Sequence, residues 1–205
     1  MRSTSRVDRM AVAARGRPRS QEIDDAVRAA LFDLLPEVGY ASLAIERVAR
    51  HAHVGKPAIY RRWRSKAEMV FALVFHEEVP VHPDAGSLVE DLKFVVRDIM
   101  LGFATPIGRM VVPGLISDLS TDPELVDRFN EVFMVRILAK LDEILRRAVD
   151  RGELPSAPDP AEVHMRMMGP VFVWLFGYAR PPSIDAADRF AAAAAAGAVA
   201  LAAGG

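Results

Sequence analysis

The sequence predicts an all-α fold, in which a small N-terminal three-helix domain precedes a larger C-terminal helical domain. Apolar residues recur at spacings of three and four along the segments between turns, as on the buried face of a helix. Helix start signals open several of these segments, as in Ser65-x-x-Glu68. Charge also divides the chain, because residues 1–66 carry a net charge of +7 and the rest carries −8. We therefore predict an arm at 1–19, a first domain at 20–66 and a second at 67–205.

The predicted arm is rich in arginine and poor in apolar residues, so we expect it to be disordered in the free protein. Its stretch Arg15-Gly16-Arg17-Pro18-Arg19 resembles the core of an AT-hook. Such a flat segment fits a DNA minor groove only ~6 Å wide, where Arg15 and Arg17 would meet concentrated negative potential. The alternative is a solvated tail that only adds charge.

The first predicted helix runs from Ser20 to about Val38, and its apolar face contains Ile23, Val27, Ala30 and Leu34. Pro36 should end or kink this helix, and Gly39 suits the position just after its end. We expect this helix to support the pair of helices that follows.

Two short helices joined by a tight turn are predicted between Ser42 and Trp63. The first ends near Ala52, and Gly55 caps the second, which begins at Lys56. The second should direct Ile59 and Trp63 to the core and present these side chains to solvent: Lys56, Tyr60, Arg61 and Arg62. This is the helix-turn-helix arrangement, which places its second helix in the major groove of DNA.

At these residues the chain resembles the TetR family of bacterial transcriptional repressors. The matching positions lie in one register without a gap: Gly39-Tyr40, Leu43, Val48-Ala49, Ala52, Val54-Gly55-Lys56, Ala58-Ile59-Tyr60, Trp63 and Ser65-Lys66. The resemblance implies an all-helical homodimer whose N-terminal helices bind DNA and whose C-terminal domain dimerises and holds an inducer. It also implies that Tyr60, Arg62 and Lys66 hold DNA phosphates.

Two positions depart from the family pattern. Ala44 replaces the usual Thr or Ser, so the first helix of the pair should lack a hydroxyl cap unless Ser42 supplies one from an earlier start. His53 replaces the usual Gly of the turn, where a left-handed backbone is expected with some strain.

Base contacts are predicted for the exposed end of the second helix, at Lys56, Pro57, Ala58 and Arg61. Lys and Arg suit guanine O6 and N7, and the alanine methyl suits a thymine methyl. Two such helices in a dimer would enter successive major grooves ~34 Å apart on a palindromic operator.

Six further helices are predicted after Trp63: Ser65 to about Val79, Leu88 to about Phe103, Ile107 to Leu119 with a break near Pro113-Gly114, Asp122 to about Arg151, a helix from Asp159 with a kink at Gly169-Pro170, and a helix from Ser183 or Asp185 to about Ala200. The last is rich in alanine, so a partner helix could approach it closely. The resemblance implies that the last two helices form the dimer interface. The alternative is a low-complexity tail without a packing role.

A pocket for a small apolar ligand is expected among the C-terminal helices, because Met and aromatic side chains adapt to such ligands. The candidate lining residues are Met100, Phe103, Met110, Phe133, Met134, His164, Met168, Phe172 and Trp174. The same side chains at helical spacing also suit a plain core.

Other classes of function receive little support from the sequence. The chain has no Cys, its five His have no metal-ligand spacing, and no phosphate loop or nucleophile motif occurs, so we expect no enzyme, no metal and no cofactor. The apolar run at 170–178 is much shorter than the ~20 residues of a membrane span. We expect a cytoplasmic, homodimeric repressor that a small apolar ligand releases from DNA. The alternatives are a non-specific architectural DNA-binding protein and an all-helical enzyme.

Overall fold

The computed structural model describes residues 19–75 and 84–204, in which every regular element is helical. The α-helices of this part are α1 (Arg19–Ser42), α2 (Ile45–His51), α3 (Lys56–Tyr60), α4 (Lys66–Val74), α5 (Leu88–Ala104), α6 (Pro106–Thr121), α7 (Pro123–Phe129), α8 (Val135–Asp150), α9 (Pro160–Phe172) and α10 (Ile184–Gly204). A π-helical turn, Asn130–Met134, joins α7 to α8, and another, Val173–Gly177, follows α9. The all-α prediction is confirmed.

Helices α1 to α4 form one core, to which α6 contributes Val111. Its fully buried members come from every helix of the group: Val27, Leu31, Leu35, Val48, Ile59, Met69 and Val70. Gly39, with φ +71°, breaks α1 where the sequence predicts its end. The core therefore holds α2 and α3 against α1 and α4.

A second core lies between α5, α8, α9 and α10. Leu92, Val96 and Met100 of α5 are fully buried and pack with Leu145 of α8. The alanines of α10 that face this core are Ala186, Ala187, Ala191, Ala194, Ala195, Ala198 and Ala202. Small side chains let α10 lie close to α5 and α9 within the same chain.

Capping side chains confirm the helix starts that the sequence predicts. Ser65 Oγ accepts a hydrogen bond from Glu68 N at 3.0 Å. Asp122, Asp159 and Ser183 cap α7, α9 and α10 in the same way.

Helix α6 differs from its prediction, because it runs without interruption through Pro113 and Gly114. Proline removes one backbone hydrogen bond from a helix interior. Here Val111, Val112 and Leu115 are buried on either side of the proline, and their burial holds the helix together. The predicted break was wrong because tertiary packing outweighs the local penalty.

The other C-terminal helices keep their predicted order with local differences. The predicted helix from Asp122 to Arg151 contains the π-helical turn at Asn130–Met134. Helix α9 continues past Pro170, and its irregular turn follows at Val173–Gly177. Helix α10 ends at Gly204, four residues beyond its predicted end. The predicted end of the helix begun at Ser65, near Val79, lies outside the described residues.

By length and composition, α10 could cross a membrane, with a mean hydropathy of 1.3, and α5 with α6 pass the same test only as a pair bent by 93°. Helix α10 lies outside the apolar run at 170–178. The buried alanines of α10 pack against α5 and α9, and 39% of its apolar window is buried.

Candidate nucleic-acid interface

The two positions that depart from the family pattern, Ala44 before α2 and His53 between α2 and α3, have the conformations expected of them. Ala44 precedes α2 in an extended conformation, and no side chain caps this helix. His53 adopts a left-handed conformation, with φ 53°. His53 N donates to Arg50 O at 3.3 Å, and Val54 N donates to Ala49 O at 3.0 Å, so the turn is closed by backbone hydrogen bonds.

Helix α3 presents three of its five residues, Lys56, Pro57 and Tyr60, to solvent. Ala58 is half-buried, whereas Ile59 is completely buried. Arg61 follows α3 and is exposed. Four of the residues predicted to contact DNA therefore lie at the surface of the free chain.

Lys56 is paired with a residue of the preceding helix. Its Nζ lies 3.0 Å from Glu46 Oε1, and both side chains are about half exposed. The hydrogen bond from Lys56 holds the pKa of the Glu46 carboxyl below its usual range. The pair thus places a positive and a negative group together at the start of α3.

Arg62 does not point outward as the sequence predicts. Its Nε donates to Asp24 Oδ1 on α1 at 2.7 Å, and its side chain is only 21% exposed. The helical spacing of α3 cannot reveal this partner, because Asp24 lies 38 residues earlier in the chain.

Lys66 lies at the N-terminus of α4 and contacts both α1 and α6. Its Nζ lies 4.1 Å from the centroid of the Tyr40 ring and donates to Tyr40 O at 3.2 Å. The same Nζ lies 3.9 Å from Asp118 Oδ2. Its ammonium group is therefore surrounded by negative partial or full charge.

Three further exposed cations lie near α2 and α3 and are not among the predicted DNA contacts. Arg47 and Arg50 lie on the polar face of α2, and Arg64 precedes α4. A long contact joins Arg47 to Glu37, at 3.5 Å. Their spacing of three on α2 is the signal that marks Arg47 and Arg50 as one surface. The predicted contacts Arg15 and Arg17 lie outside the described residues.

Seven phenylalanine rings form a continuous chain between the α4 region and the C-terminal helices. Phe71 lies 4.6 Å from both Phe129 and Phe133, measured between ring centroids, and 5.7 Å from Phe75. The chain continues from Phe75 to Phe103 at 5.5 Å, then to Phe176 at 6.5 Å and Phe172 at 5.0 Å. Three of these rings are among the predicted ligand contacts: Phe103, Phe133 and Phe172.

The remaining predicted ligand contacts are dispersed. Met100 is fully buried in the second core, and Met110 packs against the first core. The Trp174 ring contacts Phe190 edge-to-face, with centroids 5.9 Å apart, and its Nε1 donates to Pro181 O at 2.8 Å. Met134, His164 and Met168 are half-buried, and burial lowers the pKa of His164, so its ring is neutral at pH 7. In the described residues, no group of three or more His, Asp or Glu could hold a metal ion.

Comparison with known proteins gives consistent matches along the chain. The family model for bacterial regulatory proteins of the tetR family matches residues 27–73. The model for the tetracyclin repressor-like C-terminal domain matches residues 82–194.

Two curated relatives and one solved structure extend these matches. The DNA-binding transcriptional repressor TetR of Mycobacteroides abscessus is 31% identical over 75% of this chain and 80% of its own length. An uncharacterised HTH-type transcriptional regulator of Mycobacterium tuberculosis is 32% identical over 74% of this chain and 75% of its own. The crystal structure of a TetR family transcription regulator superposes with a TM-score of 0.67 and 26% identity, over 86% of this chain and 98% of that one.

Proposed function

The chain belongs to the TetR family of bacterial transcriptional regulators, and from that membership we propose that it is a cytoplasmic, homodimeric repressor of a palindromic operator. It is released from DNA by a small apolar ligand and catalyses no reaction. The observation that carries this proposal is the exposed surface of α3 and of the residue after it, which offers Lys56, Tyr60 and Arg61 beside a buried Ile59.

Base recognition is assigned to the first residues of α3 and to Arg61. Lys56 and Arg61 would donate to guanine O6 and N7, and the surfaces of Pro57 and Ala58 would contact thymine methyl groups. Tyr60 and Lys66 would hold phosphates and fix the register of the helix on the duplex. Arg62 would reach a phosphate only after leaving Asp24, whereas Arg15 and Arg17 would add contacts in the minor groove.

Dimerisation is assigned to the outer face of α9 and α10. Helix α10 has a second strip of small residues, opposite its buried alanines, that is exposed in the single chain: Ala192, Ala193, Ala196, Val199, Ala200 and Ala203. Met165 of α9 is 57% exposed, and Val173, directly after α9, is 47% exposed. An apolar strip without long side chains allows two helices to pack closely, as in a four-helix interface between two subunits.

Ligand binding is assigned to the neighbourhood of the phenylalanine chain. Its rings come from α4, α5, α7, α9 and both π-helical turns, so a ligand among them would touch elements of both cores. Phe71 and Phe75 belong to the α4 region, which also holds Lys66. A ligand that separates these rings would shift α4 and lower the affinity for DNA.

The proposal is tested by selecting random duplexes on the purified protein and measuring the salt dependence of binding to the selected sequences. We expect a palindromic consensus that binds ~10³-fold or more above random duplex. Arg61→Ala should weaken binding by ~1–3 kcal/mol and relax the preference at one base pair of each half-site. Equal binding to all sequences would instead establish a non-specific architectural protein.

A further inference from the structure

Tyr40 joins the N-terminal helices to α6 through a buried side chain. Tyr40 is only 3% exposed, and its hydroxyl donates to Asp118 Oδ2 on α6 at 2.6 Å. The ring fits beside Gly114, since a Cβ atom at that position would lie 2.2 Å from Tyr40 Cδ1. Burial, followed by the bond to Asp118, raises the pKa of Tyr40, so the hydroxyl stays protonated and remains a donor.

The ammonium group of Lys66 lies beside Tyr40 and Asp118. It donates to Tyr40 O at 3.2 Å, lies over the Tyr40 ring, and faces Asp118 Oδ2 at 3.9 Å. The first two partners are both parts of Tyr40, which lies in the N-terminal helices as Lys66 does. Asp118 alone belongs to α6, and its separation from Nζ exceeds hydrogen-bond length. Asp118 is therefore the partner that a DNA phosphate can replace most easily.

We propose that Asp118 is a positioning residue that competes with a DNA phosphate for Lys66 and thereby links DNA affinity to the placement of α6. This inference rests on the proposed function, because it requires Lys66 to meet a phosphate. Any displacement of α6 relative to Tyr40 changes the charge that Lys66 can offer to DNA. The coupling passes through the Asp118 carboxylate, which contacts the Tyr40 hydroxyl and the Lys66 ammonium group.

Asp118→Asn tests the competition, because asparagine keeps an oxygen acceptor for the Tyr40 hydroxyl and removes only the charge. We expect the Kd for the selected duplex to fall about two- to fivefold at low salt, in line with a partly exposed ion pair. The plot of log K against log salt should become steeper, by up to about the slope that one phosphate contact adds. Lys66→Met should make the same slope shallower by a similar amount.

Two controls separate the competition from a general effect of charge or folding. Asp127→Asn removes an exposed carboxylate from α7 and should change binding less than Asp118→Asn does, because salt screens distant charges. In the Lys66→Met background, Asp118→Asn should have no further effect on binding, since the ammonium group for which it competes is gone. Urea unfolding of each variant establishes that it is folded.

The inference is overturned if folded Asp118→Asn binds as the wild type does, or if it strengthens binding equally with and without Lys66. A wild type that prefers no sequence would overturn the proposed operator but not the competition, because the salt slope on random duplex still reports on Lys66. A wild type that binds no duplex at all would overturn both.

Discussion

Glu46 is the acidic residue nearest to the charge that α3 offers to DNA, through its 3.0 Å pair with Lys56. We predict that Glu46→Gln strengthens binding to any duplex by roughly two- to fivefold at low salt, because a carboxylate beside the phosphates is repelled. It should also alter the preference at one base pair, since a carboxylate can accept from cytosine N4 whereas a glutamine prefers adenine.

Anisotropy titrations with operator and random duplexes measure both effects. Glu37→Gln is the matched control, because Glu37 is paired with Arg47 on α2 rather than with a residue of α3. If the two variants gave the same change in binding, the pair with Lys56 would have no special role.

His53 should reduce the stability of the fold, because its φ of 53° lies in the left-handed region that glycine adopts freely. We predict that His53→Gly raises the free energy of unfolding by about 0.5–1 kcal/mol. His51→Gly, at the last residue of α2, should instead lower it by about 1 kcal/mol, because glycine disfavours a helix and the contact with Asp33 is lost. Urea unfolding compares the two variants, and a loss of stability in both would show that the left-handed turn costs the chain little.

At this scale the sequence indicates which side chains occupy a surface but not which partners hold them. Exposure of Lys56, Tyr60 and Arg61 follows from their spacing around Ile59 and Trp63. By contrast, Arg62 is paired with Asp24, and Lys66 lies near Asp118, which are both far away in sequence. Such pairs depend on how helices pack, which local periodicity does not contain.

Helix α6 is the element whose local signals and final structure disagree most. Pro113-Gly114 normally interrupts a helix. Here the same dipeptide allows α6 to pack against Tyr40, because Gly114 leaves room for the Tyr40 ring. The π-helical turns were likewise absent from the prediction, because a single inserted residue changes a helix without any sequence signal as strong as proline or a cap.

Gly114→Ala tests this element directly. We predict a loss of about 1–3 kcal/mol in the free energy of unfolding, because the new methyl group would overlap the Tyr40 ring. Gly102→Ala in α5, where a Cβ atom has no neighbour within 4 Å, should instead gain about 0.5–1 kcal/mol. Thermal unfolding of the pair measures the difference, and equal stability of the two variants would contradict the close approach of α6 to Tyr40.

For the molecule as a whole, the order of helices and the position of the helix-turn-helix followed from local patterns. Caps, apolar spacing and the motif around Ile59 all lie within short stretches of sequence. The chain of phenylalanine rings was only partly predictable, because Phe71, Phe75, Phe129 and Phe176 join it from segments that lie far apart in the sequence. The boundary at residue 66 stays a prediction, and the first core continues into α4.

Dimerisation is a prediction at this largest scale. Ala196→Glu places a charge on the exposed strip of α10 and should convert the protein from two chains to a single chain of 22.5 kDa. Binding to the operator should then fall toward the level of random duplex, ~10³-fold weaker. Light scattering after gel filtration measures the mass. Ala139→Glu, on the exposed face of α8, should remain dimeric, and a dimeric Ala196→Glu would place the interface elsewhere.

The fit of Tyr40 against Gly114 limits how this protein can be re-engineered. A chimera that attached the DNA-binding helices to the body of another regulator would place the Tyr40 ring against whatever residue stands at the position of Gly114. Any side chain there would push the two parts aside, and loss of Asp118 would leave a buried hydroxyl without its acceptor. Grafts that carry positions 40, 66, 114 and 118 together should therefore respond to ligands of the new body, whereas grafts that carry only positions 40 and 66 should bind DNA without ligand control.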